Sequence, residues 1–202
     1  PLSDYSNLNC PNSGVQSIFL LLNPGLSAAD YFGEYKVSSY RKTLIRNLRQ
    51  ENSDDDYPFL FLNPNFSWHS GYKYWEGKLH WLARELAQRH GTDYQSGLRL
   101  LAHEVCSLEL VPYHSSRYAL PEKIAKHLAS RQAIVDFVKT DILRRARAGK
   151  AVVVVMRGAR KWGLEASKNV VVYDAGETRS AYLTPKSKAG KLIRRHLELA
   201  SK

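Results

Sequence analysis

The chain has 202 residues, 44% of them hydrophobic, and its 30 Lys and Arg exceed its 19 Asp and Glu to give a formal net charge of +11. This length and apolar content predict one domain over residues 1–202 with a complete core. No apolar run is long enough to cross a membrane, and two cysteines, Cys10 and Cys106, cannot form a disulfide framework. We therefore expect a cytoplasmic, intracellular protein without membrane contact, in which Cys106 is a small buried hydrophobic residue.

The basic residues are concentrated in the C-terminal half of the chain, which indicates one positive face. They form runs at residues 144–147, 157–161, 186–191 and 194–195. A charge excess of this size favours a polyanionic partner, and we expect a monomer that binds nucleic acid, most simply double-stranded DNA. A basic protein without such a partner is the alternative.

In the N-terminal half, the pattern predicts an irregular arm followed by alternating strands and helices. The predicted elements are an arm over 1–16, a strand over 17–22, a helix capped by Ser27 with Asp30 at its third position, a helix over 38–50, a short strand or buried loop over 59–62, a helix over 75–90 that ends at Gly91, a helix over 97–104 and a strand over 105–111.

The C-terminal half continues the alternation. Its predicted elements are a helix from Pro121-Glu122, a helix over 130–148, strands over 151–156 and 170–173 with a helix over 162–166 between them, a loop between Gly176 and Pro185, and a basic helix over 188–200. The order predicts an α/β fold, a three-layer α/β/α sandwich with a mainly parallel central sheet. Ligand sites of such sheets lie beyond the carboxyl ends of the strands, so the polar residues that follow each strand are the candidate site.

Asn23-Pro24-Gly25 follows the first predicted strand. Pro24 restricts its φ angle and Gly25 allows a wide range of φ and ψ, so the chain is able to turn sharply at the strand end. Asn23 is then placed to hydrogen-bond a water molecule or an amide group. The alternative is a structural turn in which Asn23 satisfies its own backbone.

An aromatic stretch over residues 66–75 contains Phe66 and Trp68 with Lys73 nearby. Exposed aromatic side chains beside a cation suit stacking on a nucleobase. A loop pinned to the core by its aromatic residues explains the same pattern.

The stretch after the 105–111 strand, Pro112-Tyr113-His114-Ser115, is the richest candidate. His114 is able to donate or accept a proton near neutral pH. Glu109 places a carboxyl group inside an apolar strand, which is costly unless the group is paired or functional. A salt bridge to a nearby Arg is the structural alternative for Glu109.

Two basic loops complete the predicted site. Arg157, Arg160 and Lys161 lie where the 151–156 strand enters a helix, and Thr184, Lys186 and Ser187 precede the last helix. Cations and backbone N–H groups at a helix start favour an anion. A solvated basic turn is the alternative.

Several familiar kinds of site lack their sequence patterns. The chain has no G-x-S-x-G nucleophile elbow, no phosphate-binding glycine loop and no zinc-ligand spacing. We therefore expect no metal and no organic cofactor.

The order of these motifs resembles the uracil-DNA glycosylase superfamily. In that family the first strand ends in a water-activating loop, which reads Asn-Pro-Gly in the mismatch-specific enzymes, as residues 23–25 do here. The family's inner strand ends in Trp-Gly, where this chain has Arg157-Gly158. Its terminal His-Pro-Ser loop enters the DNA minor groove, and residues 182–187 stand in that place without a histidine.

The resemblance implies a DNA glycosylase that flips a nucleotide out of the stack and hydrolyses its N-glycosidic bond. Asn23 would position the water, and His114 would hydrogen-bond the base or aid its departure. The implied base-binding residues are Pro24, Gly25, Phe66, Trp68, Glu109, Tyr113 and Ser115, and the implied DNA-backbone residues are Arg157, Arg160, Lys161, Thr184, Lys186 and Ser187. Because the pocket positions depart from the family's pattern, we expect a damaged or larger modified base rather than plain uracil. Defence against phage with modified DNA is a further expectation.

Two other functions remain open from the sequence. A catalytically inactive nucleic-acid-binding module on the same fold would show salt-dependent binding without a product. A metal-dependent nuclease would need clustered carboxylates at the strand ends, where the sequence places only Asp30 and Glu109.

Overall fold

The computed structural model describes Gly14 and residues 16–199, so the predicted arm over 1–16 lies almost entirely outside the described residues. Its sheet has the order β2-β1-β3-β4, and every pair in it is parallel. The strands are β1 (Ser17–Leu21), β2 (Val105–Glu109), β3 (Val152–Val155) and β4 (Val170–Val172). The parallel sheet predicted from the continuous apolar runs is confirmed.

The strand register brings the carboxyl ends of three strands to one edge. Leu21 at the end of β1 lies opposite Glu109 at the end of β2, and Leu20 lies opposite Val155 at the end of β3. The polar stretches that follow these strands therefore start side by side.

Long helices cover one face of the sheet. They are α3 (Ser70–His90), α4 (Tyr94–Glu104) and α10 (Lys188–Leu199). Leu79, Leu101 and Ile193 from these helices share a fully buried cluster with Phe19 and Val154 of the sheet.

A continuous helical segment covers the other face. It comprises α6 (Ala129–Phe137), a π-helical turn (Val138–Ile142) and α7 (Leu143–Arg147), close to the predicted helix over 130–148. Ile134 and Ile142 pack in the second core cluster with Ile18 and Val153. The molecule is therefore the predicted α/β/α sandwich.

Shorter helices connect these layers. They are α1 (Ala28–Lys36), α2 (Ser38–Leu48), α5 (Glu122–Ala125), α8 (Ala159–Trp162) and α9 (Ala175–Ser180). Ser27 is the N-cap of α1, and its backbone N–H donates to Asp30 Oδ2 at 2.7 Å, as the sequence predicts.

Several element boundaries differ from the predicted ones for local reasons. The stretch 59–62 contains a 3₁₀ turn, Leu60–Leu62, rather than a strand. Helix α3 begins at Ser70 because the His69 side chain caps it by accepting the Gly71 N–H. Helix α8 begins before the predicted 162–166 helix because Gly158, with φ of 70°, turns the chain directly after β3.

Two further differences lie elsewhere in the chain. Helix α9 forms within the predicted loop between Gly176 and Pro185, since Asp174 and Glu177 make a capping box. Cys106 is fully buried as predicted, but its sulfur is bonded in a disulfide, so the residue is more than the small buried hydrophobic side chain that the sequence predicts.

Candidate functional site

The loops that follow β1 and β2 run side by side beyond the sheet. The Val111 N–H donates to the Leu22 carbonyl at 3.0 Å, and the Ser115 N–H donates to the Pro24 carbonyl at 3.2 Å. Gly25 and Ser115 form a parallel bridge. Asn23-Pro24-Gly25 and Pro112-Tyr113-His114-Ser115 are therefore one structural unit, which we call the joined loops.

Asn23 is held firmly within the joined loops. Its Nδ2 donates to the Pro24 carbonyl at 2.9 Å and to Ser115 Oγ at 2.8 Å. Both amide protons are thereby used, so the Oδ1 atom is the end of the side chain left to accept a hydrogen bond. This arrangement suits an amide that orients a water molecule.

His114 is fixed through one of its two ring nitrogens. Its Nδ1 lies 3.0 Å from the Gly25 carbonyl oxygen, which only a protonated Nδ1 can contact as a hydrogen-bond donor. In the neutral ring, Nε2 is then the atom that accepts a proton. The side chain is 38% exposed, so a molecule from solvent is able to reach it.

Asp30 is the buried carboxylate that faces His114, and it is 6% exposed. Its Oδ2 accepts hydrogen bonds from the Ser27 N–H and the Ser27 hydroxyl, both at 2.7 Å. Its Oδ1 lies 3.3 Å from His69 Nε2 and 4.0 Å from His114 Nδ1. Burial opposes ionisation, but the hydrogen bonds from His69 and Ser27 outweigh it and lower the pKa of Asp30 to about 2.

His69 supports Asp30 from the other side. Its Nδ1 accepts the Gly71 N–H at 3.0 Å, so the ring carries its proton on Nε2. Nε2 is 2.9 Å from the Tyr40 hydroxyl, and the two rings stack at 4.8 Å. Burial and the neighbouring Asp30 charge raise the pKa of Tyr40 well above its ordinary value.

The aromatic residues predicted to stack on a base occupy different environments. Phe66 is buried in a small cluster and meets Tyr40 edge-on at 5.2 Å, so it presents no free ring face. Trp68 is half-buried and meets Phe32 edge-on at 5.4 Å. Tyr113 in the joined loops is 58% exposed and is the accessible aromatic residue nearest His114 in the chain.

A second group of polar side chains surrounds Glu109 at the end of β2. Its Oε2 atom is buried without a hydrogen-bond partner, and so is the Tyr74 hydroxyl of α3. Burial raises the pKa of Glu109 to about 8, against the opposing effect of the Arg157 guanidinium. The pKa of Tyr74 rises to about 12 through burial, and both Arg157 and Glu109 act on it. These three side chains therefore lie within electrostatic reach of one another.

The predicted phosphate-binding cations differ in their availability. Arg157 and Arg160 are exposed, whereas Lys161 is half-buried. The Lys161 ammonium forms an ion pair with Glu122, which also accepts Arg131 Nη2 at 2.6 Å. Arg157 and Arg160 are thus the cations of this loop left for an outside anion.

The loop before α10 is organised by its own hydrogen bonds. Ser187 Oγ donates to the Thr184 carbonyl at 2.8 Å and accepts the Gly190 N–H at 3.0 Å. Thr184 and Lys186 are exposed. The Ser187 hydroxyl is therefore a structural cap, and Lys186 supplies the positive charge of this loop.

Sequence reasoning misses the residues that support the site. The pattern predicts Asp30 only as a helix cap, and it places His69 and Tyr74 in an aromatic stretch that stacks on bases. The signal for His69 is its place directly before an apolar helical pattern, where a side chain that accepts hydrogen bonds is needed. Helix α1 also exposes three aromatic side chains that the pattern does not predict: Tyr31, Phe32 and Tyr35.

No group of three metal-ligating side chains occurs among the residues that the structure describes. Within the same residues, every helix is too short or too polar to cross a membrane. Comparison with known proteins adds no family: no protein-family model, curated sequence or solved structure matches this chain.

Proposed function

We propose that this protein is a DNA glycosylase-like hydrolase, which extrudes a damaged or modified base from duplex DNA and cleaves its N-glycosidic bond. The observation that carries the proposal is the joining of Asn23 and His114 in one pair of hydrogen-bonded loops beyond β1 and β2. An amide that holds water beside a histidine that is able to move a proton is what this hydrolysis requires.

Asn23 positions the attacking water in the proposed reaction. Its Nδ2 donates to Pro24 and Ser115, so Oδ1 has a fixed direction from which to accept a hydrogen bond from the water. A fixed acceptor orients the water before the reaction and spares the cost of ordering it during the reaction.

His114 carries the proton from the water to the base. Its Nε2 accepts one proton of the water as the water oxygen bonds to C1′ of the sugar. The C1′–N bond breaks, and its electron pair leaves with the base, which then takes the proton from the imidazolium. The products are the free base and an abasic sugar, and no other reactant is needed.

The Glu109 group reads the extruded base in this proposal. Glu109 Oε2 and the Tyr74 hydroxyl are buried polar atoms without partners, and such atoms favour a ligand that satisfies them. Tyr113 is exposed, and in this proposal its ring stacks on the base. Defence against phage that carry modified DNA is a biological role that such an activity would serve.

The test is a search for released bases. The protein is incubated with plain, deaminated and phage-modified duplexes in EDTA, and free bases are measured by mass spectrometry. Asn23→Ala and His114→Ala are each expected to slow release about 100-fold or more while the protein stays folded. Asn63→Ala is a matched control, since Asn63 precedes a proline as Asn23 does but caps a 3₁₀ turn.

A nucleic-acid-binding module without catalysis is the second candidate. The net charge of +11 and the exposed Arg157, Arg160 and Lys186 favour it, and residues 182–187 include no histidine. Tight, salt-sensitive DNA binding with no base released from any duplex would support this function over the hydrolase.

A further inference from the structure

The two carboxylate oxygens of Asp30 have different surroundings. Oδ2 accepts both hydrogen bonds from Ser27 and thereby completes the cap of α1. Oδ1 takes no part in that cap and lies 3.3 Å from His69 Nε2 and 4.0 Å from His114 Nδ1. The helix cap therefore accounts for the contacts of Oδ2 but not for those of Oδ1.

The negative charge of Asp30 is not neutralised within its pocket. In the described part of the chain its ion-pair partners are His69 and His114. His69 accepts the Gly71 N–H through Nδ1, so it reaches Asp30 as a neutral ring that donates from Nε2. A buried carboxylate held by neutral donors retains its charge, and His114 is the facing group that is able to balance it.

We propose that Asp30 is the positioning residue of His114: the Gly25 carbonyl holds the proton on Nδ1, and the Asp30 carboxylate supplies the negative charge that stabilises the imidazolium formed when Nε2 accepts a proton from the reacting water. This inference rests on the proposed base release. The Gly25 carbonyl oxygen accepts the hydrogen bond from Nδ1 at 3.0 Å, whereas Asp30 Oδ1 lies 4.0 Å from Nδ1, beyond hydrogen-bond distance, and acts through its charge.

Other titratable groups face this pair from the surrounding elements. His69 approaches from the segment before α3, and Tyr40 approaches from α2. Glu34 of α1 acts on Tyr40 together with Asp30. Ser27 and Ser70 join the network through their hydroxyls, which lie 2.9 Å apart. None of these groups is a cation that would compete with His114 for Asp30.

The experiment combines nitrogen NMR of the His114 ring with steady-state kinetics on the intact protein. In the wild type, we expect a protonated Nδ1 and an unprotonated Nε2. In Asp30→Asn, we expect the Gly25 carbonyl to keep the proton on Nδ1, and kcat for base release to fall about 100-fold or more with KM changed less than about threefold, because the imidazolium loses its facing charge.

Ser27→Ala is the matched control for the structural role. It removes one hydrogen bond to Oδ2 but leaves the Oδ1 charge beside His114. We expect a loss of thermal stability with an unchanged His114 tautomer and a kcat within about threefold of the wild type.

The NMR and kinetic results distinguish a wrong role for Asp30 from a wrong proposed function. A wild-type His114 protonated on Nε2 overturns the inference even if Asp30→Asn does not fold. A wild-type kcat in folded Asp30→Asn also overturns it, while base release stands. If no duplex yields a free base, the proposed function fails. Asp30 then has no part in catalysis, even if the NMR spectra show the His114 proton on Nδ1.

Discussion

Glu109 shows what a single buried carboxyl does at a strand end. The sequence marks it as unusual because it ends an apolar run, and the structure leaves its Oε2 without a partner. Burial raises its pKa to about 8, so the group is mostly a neutral acid at pH 7 and is able to donate a hydrogen bond.

A raised pKa gives a definite pH dependence of stability. The unfolded chain releases the Glu109 proton near pH 4.5, but the folded protein keeps it up to about pH 8. The folded state therefore binds more protons between these values, and its stability falls as pH rises through this window, by on the order of 5 kcal/mol. We expect urea unfolding of Glu109→Gln to lack this fall.

The control for this prediction is Glu165→Gln, which changes an exposed carboxylate outside the candidate site. It should keep the wild-type pH dependence. If the free energy of unfolding changes equally with pH between pH 5 and 8 in Glu109→Gln and in the wild type, Glu109 is not neutral in the folded protein.

Asp30 has the opposite pH dependence. Despite burial, hydrogen bonds from His69 and Ser27 lower its pKa from 3.8 to about 2. Its contribution is complete above pH 3.8 and is lost as pH falls through 2, and it amounts to about 2 kcal/mol. The free energy of unfolding should therefore fall less steeply with decreasing pH in Asp30→Asn than in the wild type. Parallel plots of this free energy against pH for the two proteins would contradict this prediction.

The sequence predicts single site residues better than it predicts their partners. Asn23 and His114 are predicted as site residues because each follows an apolar strand in a parallel sheet. The structure joins their loops, and their roles stay predictions. The pairing of Asp30 with His69 and His114 depends on how α1 and the segment before α3 pack, which no local pattern specifies. Phe66 has the composition of a stacking residue, but tertiary packing buries it.

At the scale of elements, the contact between α3 and α4 depends on a glycine. A Cβ at Gly97 would lie 2.2 Å from the Ala83 carbonyl oxygen, which belongs to the backbone of α3 and cannot move aside freely. We expect Gly97→Ala to destabilise the protein by about 2 kcal/mol or more in thermal unfolding.

Gly77 provides the matched control on α3. A Cβ at Gly77 has no atom within 4 Å, and the residue is exposed in the middle of the helix. Gly77→Ala should stabilise the protein by roughly 0.5–1 kcal/mol, since alanine loses less backbone entropy in a helix. If the two variants change stability equally, a Cβ at position 97 does not clash with the backbone of α3.

The elements predicted best are those with a continuous pattern. The apolar runs of β1 and β3 and the helical periodicity of α3 need no tertiary information. Short elements fail because one side-chain bond decides them: the capping box at Asp174 creates α9, and Gly158 sets the start of α8. The predicted 105–111 strand ends two residues earlier, at Glu109, where the joined loops begin.

At the scale of the whole molecule, basic residues lie near both edges of the sheet. Arg157 and Arg160 follow β3 at the edge that carries the joined loops, whereas Arg147 in α7 precedes β3 and lies toward the opposite edge. If DNA binds at the joined loops, the exposed cations at that edge should determine the salt dependence of binding.

Substitution of Arg157 and Arg160 by alanine tests this arrangement. We expect weaker binding to duplex DNA, with the slope of log affinity against log salt reduced by about 1 for each phosphate that is no longer neutralised. Arg147→Ala is the control and should leave that slope nearly unchanged. The opposite result, weaker binding with Arg147→Ala alone, would place the DNA at the other edge.

The fold class follows from the sequence because alternating strands and helices with continuous apolar strands allow few arrangements. The composition alone does not specify which polar residues become a site, since that depends on the register of β1, β2 and β3. The register places Leu21 opposite Glu109, and this pairing brings the Asn23 and His114 loops together.

The central claim is that the joined loops hydrolyse an N-glycosidic bond, and the most direct measurement is mass spectrometry of free bases released from modified duplexes in EDTA. We predict a free base and an abasic product with the wild type, and loss of both with Asn23→Ala and with His114→Ala. Release at the wild-type rate by both folded variants, or no release from any duplex by the wild type, would contradict it.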